Sequence, residues 1–370
     1  MSSNLVRIGV THGDINGVGY EVILKTFADI RIVESCIITV YGSTKVASYH
    51  RKAMELQPVT FNAVASAADA VVNKINILNC CSEDLKVEIG KSTESAGEAA
   101  FQALEKATAD LKEGLIDVLV TAPINKLNIQ RGEFHFPGHT EYLEEKFSVN
   151  GSKSLMILAN ETLRVALVTG HLPLAEVPGA LTKDKIKSTL RIFNKSLQRD
   201  FGIQKPRIAV LSLNPHAGEK GLLGSEEAEI ITPALQEIDN EKILAFGPFA
   251  ADGFFGSGSF ARFDGIVAMY HDQGLIPFKT LAMENGVNFT AGLPVVRTSP
   301  AHGTGYDIAG KNEASEESFR QAIYMGIDVF KKRKWFDEAS ANPLKKMYFE
   351  KNNGKDETVD LTKDEPEILV

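Results

Sequence analysis

Three histidines occupy the same kind of position in this chain, each just after an apolar, strand-like run. The runs span 165–170, 208–215 and 265–270, and the histidines are His171, His216 and His271. Short apolar runs separated by helical patterns are typical of buried strands in a parallel or mixed sheet, and such sheets bind ligands beyond the carboxyl ends of their strands. Three imidazoles suit a divalent metal and leave a position open for a water or substrate oxygen. We therefore predict a catalytic metal site, against the simpler alternative that each histidine caps a strand or fills a turn.

Polar side chains that could bind an anion occur in two further segments. Lys279, Asn288 and Arg297 lie among proline and apolar residues downstream of His271. A cation in such a setting either extends to the surface or binds a phosphate or carboxylate, and the residues alone leave both readings open. His139 and Thr140 follow a Pro-Gly turn where a helix is predicted to begin. Helix N-termini attract anions.

Two glycine-rich segments resemble nucleotide-binding loops. The first, at 16–21, follows the opening strand but has only two of the three glycines of the dinucleotide fingerprint. The second spans 302–312 and contributes these candidate cofactor residues: Gly303, Thr304, Gly305, Asp307, Lys311 and Asn312. Glycine permits close backbone approach to a ligand, although an ordinary Ω-loop uses the same residue types.

The composition of the chain argues against some classes of protein. The chain has 370 residues, 44% of them hydrophobic, and a net charge of -8, which argues against general affinity for nucleic acid or anionic membranes. Any anionic ligand must therefore meet a local basic pocket. The amino terminus lacks a signal-peptide pattern and no run approaches the roughly 18 apolar residues of a membrane span, so a cytoplasmic protein is expected. Cys36, Cys80 and Cys81 are expected to be reduced, buried thiols.

Strand-like and helix-like patterns alternate along the chain. Strands are predicted at 6–10, 37–41 and 118–121, and helices from a cap near Ser95, over 186–201 and over 315–330. This alternation favours an α/β architecture, and the length favours two lobes over one. The segment beyond residue 331 is rich in charge and predicts a solvated terminus.

Five motifs together resemble one known family. They are Thr169-Gly170-His171, the segment 214–219, the segment 270–274, the segment 137–141 and the segment 303–311. In this order they are similar to the signatures of 4-hydroxythreonine-4-phosphate dehydrogenases, which act in pyridoxal phosphate (vitamin B6) biosynthesis. The resemblance runs from about residue 6 to residue 330. It implies a fold like that of isocitrate and isopropylmalate dehydrogenases, with two α/β lobes around a cleft, and a homodimer.

The resemblance also implies lobes, ligands and residue roles. The first lobe would comprise 1–125 with 246–334, the second 126–245 with dimer contacts, and 335–370 would form a polar tail. His171, His216 and His271 would bind one divalent metal, zinc, magnesium or cobalt, at a site completed across the dimer interface. The phosphorylated substrate would be held by His139, Thr140, Lys279, Asn288 and Arg297. The segment 303–312 would line NAD or NADP. Departures from the family pattern at 12, 15–16, 19–21 and 305–306 leave the choice between the two open.

The implied reaction is oxidation of 4-phosphohydroxy-L-threonine at its 3-hydroxyl, followed by decarboxylation to 3-amino-2-oxopropyl phosphate. The proton acceptor stays open among Asp252, Asp272 and Lys279, because general base catalysis requires hydrogen-bond reach that sequence cannot establish. One alternative is a dehydrogenase of a four-carbon sugar-acid phosphate, such as threonate or erythronate 4-phosphate. A more distant one is a metal-dependent phosphatase, which would usually add carboxylates that bridge two metals.

Overall fold

The computed structural model describes residues 5–82, 84–130 and 134–343. Strands and helices alternate over this part of the chain, as predicted. The strands are β1 (Val6–Thr11), β2 (Cys36–Gly42), β3 (Phe61–Val64), β4 (Ile75–Asn79), β5 (Val118–Thr121), β6 (Leu155–Ala159), β7 (Arg164–Leu167), β8 (Arg207–Leu211), β9 (Leu244–Phe249), β10 (Gly265–Ala268), β11 (Val287–Ala291) and β12 (Val296–Pro300). The helices are α1 (Gly19–Ala28), α2 (Thr44–Ala53), α3 (Glu94–Lys112), α4 (His139–Phe147), α5 (Val177–Ala180), α6 (Lys183–Arg199), α7 (Thr232–Asp239), α8 (Ala251–Gly256), α9 (His271–Ala282) and α10 (Glu317–Ser340).

All twelve of these strands form one sheet, in the order β3-β4-β2-β1-β5-β12-β11-β6-β7-β10-β8-β9. The first six strands in this order are mutually parallel, and so are the last four. Between the two sets, β11 and β6 are each antiparallel to both of their neighbours. Because β7, β10 and β8 are adjacent and parallel, the loops that carry the three predicted metal-binding histidines leave the sheet at the same end.

The elements form where apolar periodicity and capping coincide. In α3, a stripe of buried small residues that includes Ala96, Ala103 and Ala107 lets the helix pack closely on the sheet. The helix begins two residues earlier than a Ser95 cap implies, because the Thr93 hydroxyl accepts a hydrogen bond from the Ala96 amide at 3.3 Å. The predicted strands at 6–10, 37–41 and 118–121 are confirmed as β1, β2 and β5.

The last helix is longer than its pattern predicts. It begins at Glu317 and continues to Ser340, so its final turns lie in the segment predicted as a polar tail. The rest of that predicted tail, from residue 344, lies outside the described residues.

Among the helices that the structure describes, none is long and apolar enough to span a bilayer. The three cysteines are free thiols; Cys36 is buried and the other two are half-buried.

A buried ion pair fastens α10 to the centre of the sheet. The Arg333 Nε lies 2.5 Å from the Asp200 carboxylate, and both side chains are at most 5% exposed. The same guanidinium donates to the carbonyl oxygens of Leu293, Pro294 and Val295, which form the turn between β11 and β12. Ser196 donates to the other oxygen of Asp200. Each charge is therefore hydrogen-bonded as well as paired.

We expect Arg333→Met to lower the free energy of unfolding by about 3–5 kcal/mol, because it leaves the Asp200 carboxylate buried without its partner. The matched control is Arg199→Met, which removes an exposed pair with Asp337 and should cost at most about 1 kcal/mol. Urea unfolding followed by circular dichroism measures both. Equal losses in the two variants would show that the buried pair does not anchor α10.

Candidate active site

A cavity of about 750 Å³ lies against the central strands of the sheet. Its walls come from β6, β11 and β12, from α6, α9 and the first turn of α4, and from the loops after β5, β7 and β12. The following residues predicted from the sequence line it: His139, Thr140, His171, His271, Lys279, Asn288, Arg297 and Gly303. The structure thus gathers all five predicted substrate-binding residues, two of the three predicted metal ligands and one residue of the predicted cofactor loop.

Arg297 is a buried cation in the wall of this cavity. Its side chain donates to the Thr121 hydroxyl at 2.7 Å and to the Thr290 hydroxyl at 3.2 Å, and the residue is 3% exposed. It forms no ion pair with any residue in the described part of the chain. Burial lowers its pKa to about 10, so the guanidinium is charged at neutral pH. These facts exclude the surface-extended reading of Arg297 and leave a buried charge that suits an anionic ligand.

Three other side chains in the cavity wall carry a buried polar atom without a hydrogen bond among the described residues. These atoms are Nε2 of His139, Oδ1 of Asn288 and Nε2 of His302. Buried polar atoms in proteins nearly always have a partner. Because all three atoms lie around one cavity, a ligand with several polar groups would satisfy them together.

His139 begins α4, as predicted, and its side chain is held neutral. Burial lowers its pKa well below the ordinary value, and the positive charges of Arg297 and Lys126 lower it further. A neutral imidazole can donate or accept a hydrogen bond through its free nitrogen. Thr140 lines the cavity from the same turn. This end of α4 therefore presents an imidazole, a hydroxyl and the first helical amides to one ligand.

His171 and His271 lie side by side after the neighbouring strands β7 and β10, with ring centroids 5.6 Å apart. Burial, Lys126 and His271 lower the pKa of His171, which favours the neutral form that binds metals. The Nδ1 of His271 lies 2.7 Å from the Asp272 carboxylate, an arrangement that is common for metal-binding histidines. The pair is suited in chemistry and position to share a divalent ion.

The third histidine lies outside the cavity. His216 is exposed, in a loop at 215–221 where five successive residues have left-handed backbone angles. The buried Glu227 carboxylate orders the start of this loop, since it accepts the amides of Leu213 and Asn214 at 2.8 Å. In the described ranges of this single chain, no three histidine, cysteine or acidic side chains are placed to hold a metal.

The three predicted proton acceptors are separated. Lys279, on α9, lines the cavity. Asp272 is largely exposed in the first turn of α9, where it contacts His271 rather than the cavity. Asp252 is exposed on α8, away from the cavity wall. Within one chain, therefore, only Lys279 is in a position to reach a ligand in the cavity.

The two glycine-rich segments pack against each other. The amide of Val18 donates to the carbonyl of Thr304 at 2.9 Å, and the Tyr306 hydroxyl donates to Asp14 at 2.7 Å. A Cβ on Gly17 would lie 2.6 Å from the Thr304 carbonyl oxygen, so this glycine allows the two loops to pack closely.

Gly303 lies at the cavity wall, where an added Cβ would meet nothing within 4 Å. Further along, the Asn312 carbonyl accepts from Lys25. Of the predicted cofactor residues, only Gly303 lines the cavity.

The cavity residues that sequence reasoning missed include the charged side chains of Lys126 and Glu141. The Nζ of Lys126 lies 3.4 Å from Nε2 of His171. Glu141 lies in the segment 137–141, directly after two residues that were singled out, and that adjacency was the available signal. Lys126 follows β5 in a loop with no distinguishing pattern, so its position depends on tertiary structure alone.

The fold and the cavity together define an α/β protein with a cationic site suited to a small anionic ligand. The family model of the pyridoxal phosphate biosynthetic protein PdxA matches residues 34–326. The chain belongs to this family, and the resemblance drawn from the sequence motifs is confirmed.

Similar proteins agree with this assignment. A 4-hydroxythreonine-4-phosphate dehydrogenase of Bacteroides thetaiotaomicron is 60% identical over 356 residues, 96% of this chain and 97% of the relative. A protein of Oceanobacillus iheyensis named "Putative D-threonate 4-phosphate dehydrogenase" is 37% identical over 326 residues, 87% of this chain and 97% of the relative. The crystal structure of 4-hydroxythreonine-4-phosphate dehydrogenase from Klebsiella pneumoniae has a TM-score of 0.77 and 33% identity, and covers 89% of this chain and 99% of its own. The predicted fold is thereby confirmed, whereas the two lobe boundaries stay a prediction.

We expect Arg297→Met to weaken the binding of inorganic phosphate by about ten- to a hundredfold, since charge-assisted hydrogen bonds contribute about 1.5–3 kcal/mol. Isothermal titration calorimetry measures this affinity. Without ligand, the variant should unfold at an equal or higher temperature, because the substitution removes a buried charge that forms no ion pair with the described residues. Arg31→Met, at a site 79% exposed, is the control. Unchanged phosphate affinity in a folded Arg297→Met protein would remove Arg297 from the site.

Proposed function

We propose that this protein is an NAD(P)-dependent 4-hydroxythreonine-4-phosphate dehydrogenase. It would oxidise the 3-hydroxyl of 4-phosphohydroxy-L-threonine, passing a hydride to the nicotinamide and releasing a proton. The resulting β-keto acid would then lose carbon dioxide to give 3-amino-2-oxopropyl phosphate. The names of the relatives support the reaction, and the observation that carries the proposal is the buried, unpaired Arg297 in the cavity wall.

The cavity matches a substrate with two anionic ends. Arg297 and Lys279 would bind the phosphate and carboxylate, since both bring positive charge into a protein that is acidic overall. His139, Thr140 and Asn288 would complete the hydrogen bonds to these groups. This arrangement assigns a partner to each of the buried atoms that His139 and Asn288 leave unsatisfied.

The residues present fit a divalent metal ion in chemical type. His171 and His271 would hold it in the cavity, and we infer that His216 comes from a second copy of the chain in a homodimer, because in its own chain it lies apart from the pair. Zinc, magnesium and cobalt are the candidates. A metal bound there would supply positive charge beside the oxygen at which negative charge develops. Asp272 would orient His271, and Lys279 is the best-placed proton acceptor.

The nicotinamide nucleotide would bind along the segment 302–312. His302 and Gly303, at the start of this segment, lie at the cavity wall, and the unobstructed face of Gly303 would allow a ligand to approach the backbone. Thr304, Gly305, Asp307, Lys311 and Asn312 would contact the more distant parts of NAD or NADP. Free thiols at all three cysteines accord with the reducing cytoplasm, where we place the enzyme.

A second candidate is a dehydrogenase of a sugar-acid phosphate, which the name of the Oceanobacillus relative favours. The phosphate-binding residues would serve both substrates equally. A two-metal phosphatase is less well supported, because Glu141 is the only acidic residue among the described residues that line the cavity.

The deciding experiment mixes the purified protein and a divalent metal with NAD or NADP and each candidate substrate, and follows the absorbance of the reduced nicotinamide. Reduction with 4-phosphohydroxy-L-threonine at a kcat/KM above that with threonate 4-phosphate supports the proposal. The opposite preference favours the second candidate. Release of inorganic phosphate without nicotinamide reduction would indicate the phosphatase.

The cofactor assignment predicts a selective effect of Gly303→Val. The added side chain meets open space in the free protein, so folding should be unaffected, but it should obstruct the nucleotide and raise the KM for the cofactor far more than that for the substrate. Gly179→Val, at another open and exposed glycine, is the control. Equal changes in the two constants would instead indicate a general structural defect.

The metal assignment predicts that His216→Ala abolishes both metal retention and turnover, because an open catalytic site has few protein ligands to lose. Metal content after dialysis, measured by mass spectrometry, gives a readout independent of activity. His135→Ala removes an exposed histidine outside the cavity and should retain full occupancy. Normal metal content and activity in His216→Ala would exclude His216 as a ligand.

A further inference from the structure

We propose that Glu141 binds the α-ammonium group of the substrate and so selects the amino acid phosphate over its hydroxy-acid counterpart. This inference rests on the proposed function and identifies the residue that would face the second carbon of the substrate. The phosphate- and carboxylate-binding residues cannot make this distinction, because both substrates carry those groups.

Glu141 is an exception in the charge pattern of the cavity. The described lining includes the cations Lys126, Lys153, Lys185, Lys279 and Arg297, and Glu141 is its only acidic residue. A carboxylate here weakens the binding of any dianion, since like charges repel at close range. Glu141 would strengthen the binding of a ligand that also carries a positive group, and among the functional groups of the two candidate substrates only the ammonium is positive.

The Glu141 carboxylate is close to both proposed sites. It lines the same cavity as Arg297 and His171, and its negative charge acts to raise the pKa of both side chains. Its Oε2 is 3.4 Å from where a Cβ on Gly138 would stand, and the Lys126 side chain lies 3.8 Å from the same point. The second carbon of the substrate adjoins both the carboxylate and the 3-hydroxyl. An ammonium at that carbon would therefore fall within the same part of the cavity.

Glu141 is also free to bind a ligand. In the described structure it has no hydrogen bond or ion pair, whereas Glu144, one turn later in α4, binds Lys153 and Ser154. The simpler reading is a solvated acidic residue that complements the helix N-terminus. That reading explains the position of Glu141 in α4 but not its place in a cavity whose other charged lining residues are all lysine or arginine.

The test compares kcat/KM of wild type and Glu141→Gln for 4-phosphohydroxy-L-threonine and for threonate 4-phosphate. Glutamine retains the shape and removes the charge. We expect kcat/KM for the amino substrate to fall by about ten- to a hundredfold, mainly through KM, as for the loss of one charge-assisted hydrogen bond. The value for threonate 4-phosphate should stay unchanged or rise. Glu145→Gln, at an exposed position on the same helix, should alter neither.

A binding measurement keeps the inference testable if turnover of the variant is too low to measure. Calorimetric titration with inorganic phosphate should give an affinity for Glu141→Gln at least as high as for wild type, because a repelling charge has been removed, and a lower affinity would contradict the inference. Equal losses of kcat/KM for both substrates, or no loss for either, would overturn it while leaving the proposed function intact. A wild-type protein that oxidises neither substrate would overturn the proposed function, and this inference with it.

Discussion

The reversal of strand direction at β11 and β12 is the constraint on which the site depends. Two parallel sets of strands run in opposite directions, and the antiparallel pair β12-β11, with β6, joins them into one sheet. The turn between β11 and β12 is held by the guanidinium of Arg333 and contains Gly292, where a Cβ would lie 2.1 Å from the carbonyl oxygen of Lys153. This hairpin carries Asn288 and Arg297, and the cavity lies against it. Loss of the hairpin would therefore separate the anion-binding residues from the histidines.

The groups that suit the cavity to an anionic ligand lower the stability of the unliganded fold. The Arg297 guanidinium is buried and, among the described residues, hydrogen-bonds only to two threonine hydroxyls. Together with three unsatisfied polar atoms in the cavity wall, it makes the unliganded fold less stable than an apolar wall would. The rest of the sheet compensates, because β1, β2, β5 and β10 are almost entirely buried and apolar. Placing the charge on a central strand fixes its position before a ligand arrives, so little ordering remains to be done on binding.

The sequence was informative where local pattern determines position. His171 and His271 follow apolar runs that favour buried strands, and their proximity follows from strand adjacency. The predicted start of α3 is two residues too late because Thr93 and Ser95 can both cap a helix.

His216 also follows an apolar strand, yet its direction is set by a left-handed loop that Glu227, from a later element, orders. Gly17 lies in a segment that resembles a nucleotide-binding loop because close packing against the backbone of Thr304 requires the same residue type. Lys126 has no local signature, since only the fold brings it to the cavity, whereas the signal for Glu141 is its place directly after His139 and Thr140.

The residues suited to binding an anion and the residues suited to chemistry come from different kinds of structural element. Arg297 and Asn288 are on strands in the middle of the sheet, and His139 is fixed at the start of a helix, so the groups suited to an anion are rigid. The groups suited to chemistry, His171, His271 and Lys279, come from the loop after β7 and from α9, at the margin of the same cavity. Gln273 connects the ends of β8 and β10 by bonding the Met269 amide and the Ser212 carbonyl. Through this residue, the loop that carries His216 is held in fixed relation to His271, even though the two side chains do not meet within one chain. If a second copy of the chain brought His216 to the histidine pair, it would add a ligand from a loop that its own chain already orders. A metal site formed in this way would require little further ordering of that loop.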